Sequence, residues 1–140
     1  MAKRWYIVHA YSNFENKVAQ AIKEREERAL SEKMEVVSAN PRLLWTEYSV
    51  TSLGSGKTYR VSLRGIERGS SFCSCPDFRK NTFGTCKNIL HLVEHLREQF
   101  NPATWKIPYE VSNIELHLCY GKEMELRLQV PKKMDRKVLE

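Results

Sequence analysis

The chain is most informative at residues 72–78, which read FCSCPDF, and at residues 84–90, which read GTCKNIL. Cys73, Cys75 and Cys86 follow a C-x-C-x10-C spacing, and apolar residues at helical spacing after Cys86 predict a helix there. Two thiols on a tight turn and a third at a helix N-terminus can converge on one ion. Because thiolate is a preferred ligand at structural zinc sites, the stretch predicts zinc as a cofactor.

The composition is that of an ordinary globular chain with an excess of positive charge. It has 140 residues, of which 41% are hydrophobic, and a net charge of +6. No apolar run approaches the ~20 residues that span a bilayer, and the first residues lack the apolar segment of a signal peptide. We therefore expect a cytoplasmic protein without a membrane partner, in which close cysteines are metal ligands before disulfides. The charge permits contact with nucleic acid without requiring it.

The N-terminal residues predict a strand followed by a helix. Residues 4–11, RWYIVHAY, are aromatic and β-branched, which favours a strand. Ser12 and Glu15 then form a capping-box pattern that begins a helix. The sequence SANP at residues 38–41 breaks the pattern, so we place a domain boundary at residue 40.

Two β-hairpins are predicted on either side of the cysteines. Residues 44–51 and 59–64 are extended candidates joined by a Gly-Ser-Gly-Lys turn, and residues 113–120 and 124–130 alternate apolar with polar residues. The predicted fold class is therefore α+β. A strand-helix piece in residues 1–40 precedes a ββα-like finger in 41–101, and a hairpin with a charged tail follows in 102–140.

The cysteine pattern resembles that of the SWIM zinc finger, C-x-C-xn-C-x-H, and the similarity runs from about Leu43 onward. The SWIM finger occurs in Swi/Snf-type helicase-related proteins. The resemblance implies that Cys73, Cys75 and Cys86 bind zinc and that the module binds DNA or protein. In this chain Asn88 stands where the family has its ligand His.

The fourth ligand is open, because a neutral amide oxygen binds zinc weakly beside thiolates. His91, three residues beyond Asn88 on the predicted helix, is the first candidate. Cys119 and water are the others. The alternative is that the thiols stay reduced and empty, with the fold held by its core, or that the chain is a degenerate product without a selected function.

Residues 3–18, KRWYIVHAYSNFENKV, are similar to the start of the transcription elongation factor NusG. In that family the string forms the first strand and helix of a domain that binds RNA polymerase. The resemblance ends near Arg28. It implies RNA polymerase as a partner and, as an alternative function, a role in transcription elongation or antitermination.

Basic and aromatic side chains alternate near the cysteines, which suits phosphate contacts and base stacking. The aromatic residues Phe72, Phe78 and Phe83 have a second interpretation, since we expect at least two of them to pack around the finger. The candidate nucleic-acid contacts are Arg68, Arg79, Lys80 and Lys87.

Residues 91–95, HLVEH, match the inverted zinc-peptidase motif, with His91 and His95 as ligands and Glu94 as general base. That chemistry needs a further acidic ligand on a later helix, where this sequence predicts strands. We therefore predict no enzyme but a zinc-binding module for DNA or protein interaction, in a helicase-related or transcription system. The sequence leaves the oligomeric state open.

Overall fold

The computed structural model describes residues 2–120 and 123–133, with side chains from residue 15 onward. The fold is α+β, as the sequence predicts. Helix α1 comes first, four strands form an antiparallel sheet in the order β1-β2-β3-β4, and a separate two-stranded hairpin ends the described chain. The elements are α1 (Ala2–Ser31), β1 (Met34–Ser38), β2 (Glu47–Ser52), β3 (Thr58–Ser62), β4 (Phe72–Cys73), α2 (Pro76–Lys80), α3 (Lys87–Arg97), α4 (Pro102–Trp105), β5 (Glu115–Cys119) and β6 (Glu125–Gln129).

The predicted strand at residues 4–11 is wrong, because these residues lie within α1. Aromatic and β-branched residues favour strands because they pack well against neighbouring strands, and no described strand pairs with this segment. The described strands of the main sheet pair with one another and leave this segment out. A helix satisfies its backbone hydrogen bonds internally, so it requires no partner strand.

Strand β1 was not predicted, and it pairs antiparallel with β2 so that Val36 lies opposite Val50. The residues before the predicted boundary at residue 40 therefore share a sheet with residues after it. The division of the chain into domains stays a prediction.

The first predicted hairpin is confirmed as β2 and β3, in which Val50 pairs with Tyr59. Gly56 adopts a φ of 70° in the connecting turn, a conformation that glycine adopts without a steric penalty. The sheet places Tyr48 and Val61 in the core, where they are 2% and 0% exposed. Helix α3 covers this core with Leu92 and Leu96, which are also buried.

The second predicted hairpin is confirmed as β5 and β6, with Leu116 opposite Leu128 and Leu118 opposite Leu126. None of the helices in the described part of the chain combines the length and apolar character that crossing a membrane requires.

Candidate metal centre

Three different elements deliver the cysteines to one place. Cys73 ends β4, where it pairs with Val61 of β3. Cys75 is the N-cap of α2, and Cys86 is the N-cap of α3. Two of the three thiols therefore lie at helix N-termini, whose partial positive charge favours a thiolate over a thiol.

The three sulfur atoms form a cluster with the dimensions of a metal site. The Sγ atoms of Cys73, Cys75 and Cys86 all lie within 4.8 Å of one another. Zn–S bonds of about 2.3 Å separate the sulfurs of a tetrahedral site by a little under 4 Å. The three residues are 0%, 4% and 0% exposed. We call these three residues the cysteine cluster, and its donors fit a zinc ion.

The turn between Cys73 and Cys75 is held by hydrogen bonds to β3 and to the first turn of α2. The Ser74 N–H donates to the Arg60 carbonyl at 2.9 Å, and the Arg60 N–H donates to Ser74 Oγ at 2.9 Å. The Phe78 N–H donates to Cys75 Sγ at 3.4 Å, which caps α2 with a sulfur atom. Pro76 begins α2, where its fixed φ suits the first helical position.

A glycine allows the second loop to bring Cys86 into the cluster. Gly84 has a φ of 67°. A Cβ atom at this position would lie 2.6 Å from the Gly69 backbone nitrogen and 2.6 Å from the Tyr120 carbonyl oxygen. Gly84 also accepts a hydrogen bond from the Gly69 N–H at 2.9 Å. Both the backbone conformation and the close packing therefore require glycine.

Asn88 faces the cluster from the first turn of α3. It is 3% exposed, and its Nδ2 atom lies 3.7 Å from Cys73 Sγ. The residue that stands where the SWIM pattern has His thus lies buried beside the cluster, in contact with one of its sulfur atoms. Turning the amide over would present Oδ1 at the same place, but an amide oxygen is a weak zinc ligand beside thiolates.

The three thiols share protons, and the effect differs between them. The pKa of Cys75 is lowered to about 2, first because the Cys73 thiol donates to it and then because Cys86 does. The pKa of Cys73 is raised to about 11 by the same hydrogen bond to Cys75, and the pKa of Cys86 is raised by its bonds to both neighbours. The hydrogen bonds within the cluster therefore favour the thiolate form at Cys75 over its two neighbours.

His91 and Cys119, the two side chains predicted as possible fourth ligands, are placed outside the cluster. His91 Nδ1 lies 2.8 Å from the Ala29 carbonyl oxygen of α1. Cys119 is buried at the end of β5. Among the side chains that the structure describes, the group that could hold a metal ion consists of the three cysteines and includes neither residue.

The inverted zinc-peptidase motif lies on α3, as its pattern requires, but its side chains have other partners. Glu94 pairs with Arg97 at 3.4 Å, and His95 Nε2 lies 2.9 Å from the Gln99 amide. Within the described residues, His91, Glu94 and His95 do not meet as a group with ligand geometry.

The aromatic residues near the cluster are mostly structural. Phe78 is 0% exposed, and its ring lies 5.6 Å from that of Phe72 in an edge-to-face arrangement. The guanidinium of Arg25 lies 4.8 Å above the ring of Phe83. The expectation that at least two of these rings pack around the finger is confirmed.

The four predicted nucleic-acid contacts differ in availability. Arg68, Arg79 and Lys80 are exposed. Lys87 instead pairs with the carboxylate of Glu32, the residue that follows α1, at 2.7 Å. Three of the four basic side chains are therefore exposed to solvent.

Sequence reasoning missed one residue that supports the site. Arg25 of α1 donates to both carboxylate oxygens of Asp77, at 2.9 and 2.8 Å, two residues after Cys75. Such a bidentate pair is stronger and more directional than a single hydrogen bond. The partners are separated by 52 residues, so no local sequence signal could have joined them.

Comparison of the chain with protein-family models, with curated proteins and with solved structures finds no significant match. The resemblances to the SWIM finger and to NusG, and RNA polymerase as a partner, stay predictions. The convergence of the three cysteines is the observation on which the function is argued.

Proposed function

We propose that this chain is a non-catalytic, zinc-binding module of the SWIM type that mediates interaction with DNA or protein. The observation that carries the proposal is the convergence of three buried thiols within 4.8 Å, delivered by β4, α2 and α3. Zinc bound by Cys73, Cys75 and Cys86 would cross-link these three elements. In a reducing compartment such a cross-link replaces the disulfides of small secreted folds.

Burial of the cluster supports a structural role for the metal. Catalytic zinc keeps a coordination position open to substrate or water, whereas structural zinc is closed by protein ligands. The three cysteines are at most 4% exposed, and Asn88, whose amide lies 3.7 Å from Cys73 Sγ, is 3% exposed. A substrate would have no direct route to a metal held there.

The surface next to the cluster supports the nucleic-acid version of the interaction. Arg79 and Lys80 lie in the last turn of the short helix that Cys75 caps, and both are exposed. A metal that fixes Cys75 would thereby fix the direction of these two cations. Phosphate groups are the natural partners of such a pair, and Arg68 adds a third exposed cation.

Zinc content tests the metal proposal directly. We expect about one zinc per chain after purification under reducing conditions without chelator, and loss of that zinc in Cys73→Ser. Cys119→Ser is the matched control, because Cys119 is also a buried cysteine but lies outside the cluster. Zinc retained by the first variant, or lost equally by both, would contradict the assignment.

Salt dependence tests the interaction with DNA. For the zinc-loaded protein we expect affinity for a short duplex to fall steeply with salt, and the double variant Arg79→Ala/Lys80→Ala to reduce the slope of log K against log[salt] by roughly 2. Lys57→Ala in the exposed turn between β2 and β3 is the control and should leave the slope unchanged. An affinity that does not change with salt would contradict the proposal that the module binds DNA, and the proposal that it binds a protein would then stand alone.

A further inference from the structure

The C-terminal hairpin exposes the face that a hairpin usually buries. Leu116, Leu118, Leu126 and Leu128 are 65%, 44%, 69% and 63% exposed. They pair directly across the two strands, Leu116 with Leu128 and Leu118 with Leu126, so all four lie on one side. We call these four residues the leucine face.

The opposite side of the same hairpin carries polar residues that have partners within the chain. Tyr109 donates to the Glu115 carboxylate at 3.0 Å. The His117 side chain is 10% exposed, and its Nε2 atom lies 2.9 Å from Gln129 Oε1. Antiparallel sheets with one solvated face normally direct the polar side to water. In β5 this arrangement is reversed, and the leucines remain in solvent.

The size of the leucine face exceeds what scattered surface leucines explain. Ile114 and Met124 extend it along the strands and are 48% and 70% exposed. Together these six side chains present roughly 600 Å² of apolar surface, the upper end of the largest patch on a typical monomer. Two such surfaces facing each other would bury roughly 1,200 Å², which reaches the lower bound of stable, specific protein interfaces.

We propose that the leucine face binds the leucine face of a second copy of this chain. The four leucines form an array in which both strands carry the same residue type at both paired positions. A two-fold axis that lies between two facing hairpins, parallel to the planes of their sheets, therefore brings leucine against leucine, which is the self-complementarity that a symmetric dimer requires. The face contains no charged side chain, so a second copy meets no like charge within it.

The contact would have the geometry of two sheets packed face to face, about 10 Å apart. The polar sides of both hairpins would keep the partners that they have in the single chain. The cysteine cluster lies on β4 and at the N-termini of α2 and α3, outside β5 and β6.

The test is the mass of the full-length, zinc-supplemented protein in solution, measured by sedimentation across a series of concentrations. We expect a dimer of twice 16.4 kDa that dissociates on dilution. Leu126→Glu should weaken association at least about 100-fold, because each copy would bury an unpaired carboxylate in an apolar contact. Leu53→Glu, at a leucine that is 59% exposed in the β2–β3 turn, is the matched control and should leave the dimer intact.

Each outcome decides the proposal. Because Leu126 is already 69% exposed, its substitution should leave the circular dichroism spectrum of the chain unchanged, and a dimer lost without spectral change supports the proposal. A dimer that persists in Leu126→Glu overturns it, since association would then use another surface. A wild-type chain that stays monomeric at every concentration also overturns it and assigns the leucine face to a different protein.

Discussion

Replacing Asn88 by His should increase the zinc affinity of this chain. Asn88 is buried, and its amide lies 3.7 Å from Cys73 Sγ, beside the cysteine cluster. An imidazole at this position supplies a neutral nitrogen ligand, which zinc accepts readily in combination with three thiolates. The amide that it replaces is a much weaker donor.

The magnitude follows from treating position 88 as a direct ligand. Changing residues that only orient metal ligands alters affinity by about 10- to 100-fold, so a new ligand should reach at least the upper figure. At free zinc ten times the wild-type dissociation constant, the wild type gains about 1.4 kcal/mol of unfolding free energy, and a variant that binds 100-fold tighter gains about 4.1. At roughly 4 °C per kcal/mol, zinc should raise the melting temperature by about 6 °C in the wild type and about 16 °C in Asn88→His.

The quantity to compare is the zinc-induced shift within each protein. The larger ring costs about 1–3 kcal/mol in the metal-free protein, because it enters a closely packed site, and this cost cancels in the comparison. Competition with a chromophoric chelator measures the affinity independently. Asn88→Ala is the control that removes the amide without adding a ligand, and it should show no larger shift than the wild type.

The opposite result would refute the reasoning. If Asn88→His shows no larger zinc-induced shift than the wild type, position 88 does not face the metal. His91→Ala separates the remaining candidate, since His91 contacts the Ala29 carbonyl and its loss should leave the zinc affinity unchanged. A large loss of affinity in that variant would instead make His91 the fourth ligand.

Three further substitutions test the packing around the site. Arg25→Ala removes the bidentate pair with the Asp77 carboxylate and should lower the unfolding free energy, measured by urea titration, by about 1–3 kcal/mol. Arg28→Ala, at an exposed position on the same helix, is the control and should change the unfolding free energy by less than about 0.5 kcal/mol. Gly84→Ala should lower the unfolding free energy by at least about 1–3 kcal/mol, because the φ of Gly84 is 67° and a Cβ atom there would lie 2.6 Å from two backbone atoms. Gly54→Ala is the control, since a Cβ atom at Gly54 would have no neighbour closer than 3.9 Å. Equal unfolding midpoints for the two variants would contradict this difference. Burial raises the pKa of the Tyr48 phenol to about 12, above its value of about 10 in the unfolded chain. The contribution of this neutral phenol to the unfolding free energy is therefore complete below pH 10 and is lost as the pH rises toward 12. The unfolding midpoint should therefore fall between pH 10 and pH 12, less steeply in Tyr48→Phe than in the wild type. Identical pH profiles for the two proteins would refute the assignment of this pH dependence to Tyr48.

The parts of the fold that were predicted correctly depend on local patterns. The hairpin of β5 and β6 follows from alternating residues, and α3 follows from apolar residues at helical spacing after Cys86. The strand predicted at residues 4–11 failed because β propensity describes packing against neighbours, which a local window does not contain. Strand β1 was missed for the same reason, since its pairing with β2 is what defines it.

The sequence by itself identified the three cysteines of the candidate site, because the C-x-C spacing and the helix after Cys86 are local features that place thiols on turns and helix ends. Only the tertiary structure decided which of two side chains lies beside the cysteine cluster, because Asn88 and His91 are on one helix and their surroundings belong to other elements. It directs Asn88 toward Cys73 and His91 toward Ala29 of α1. It also decided which side of the last hairpin meets water, because burial depends on what packs against a strand and not on the alternation within it.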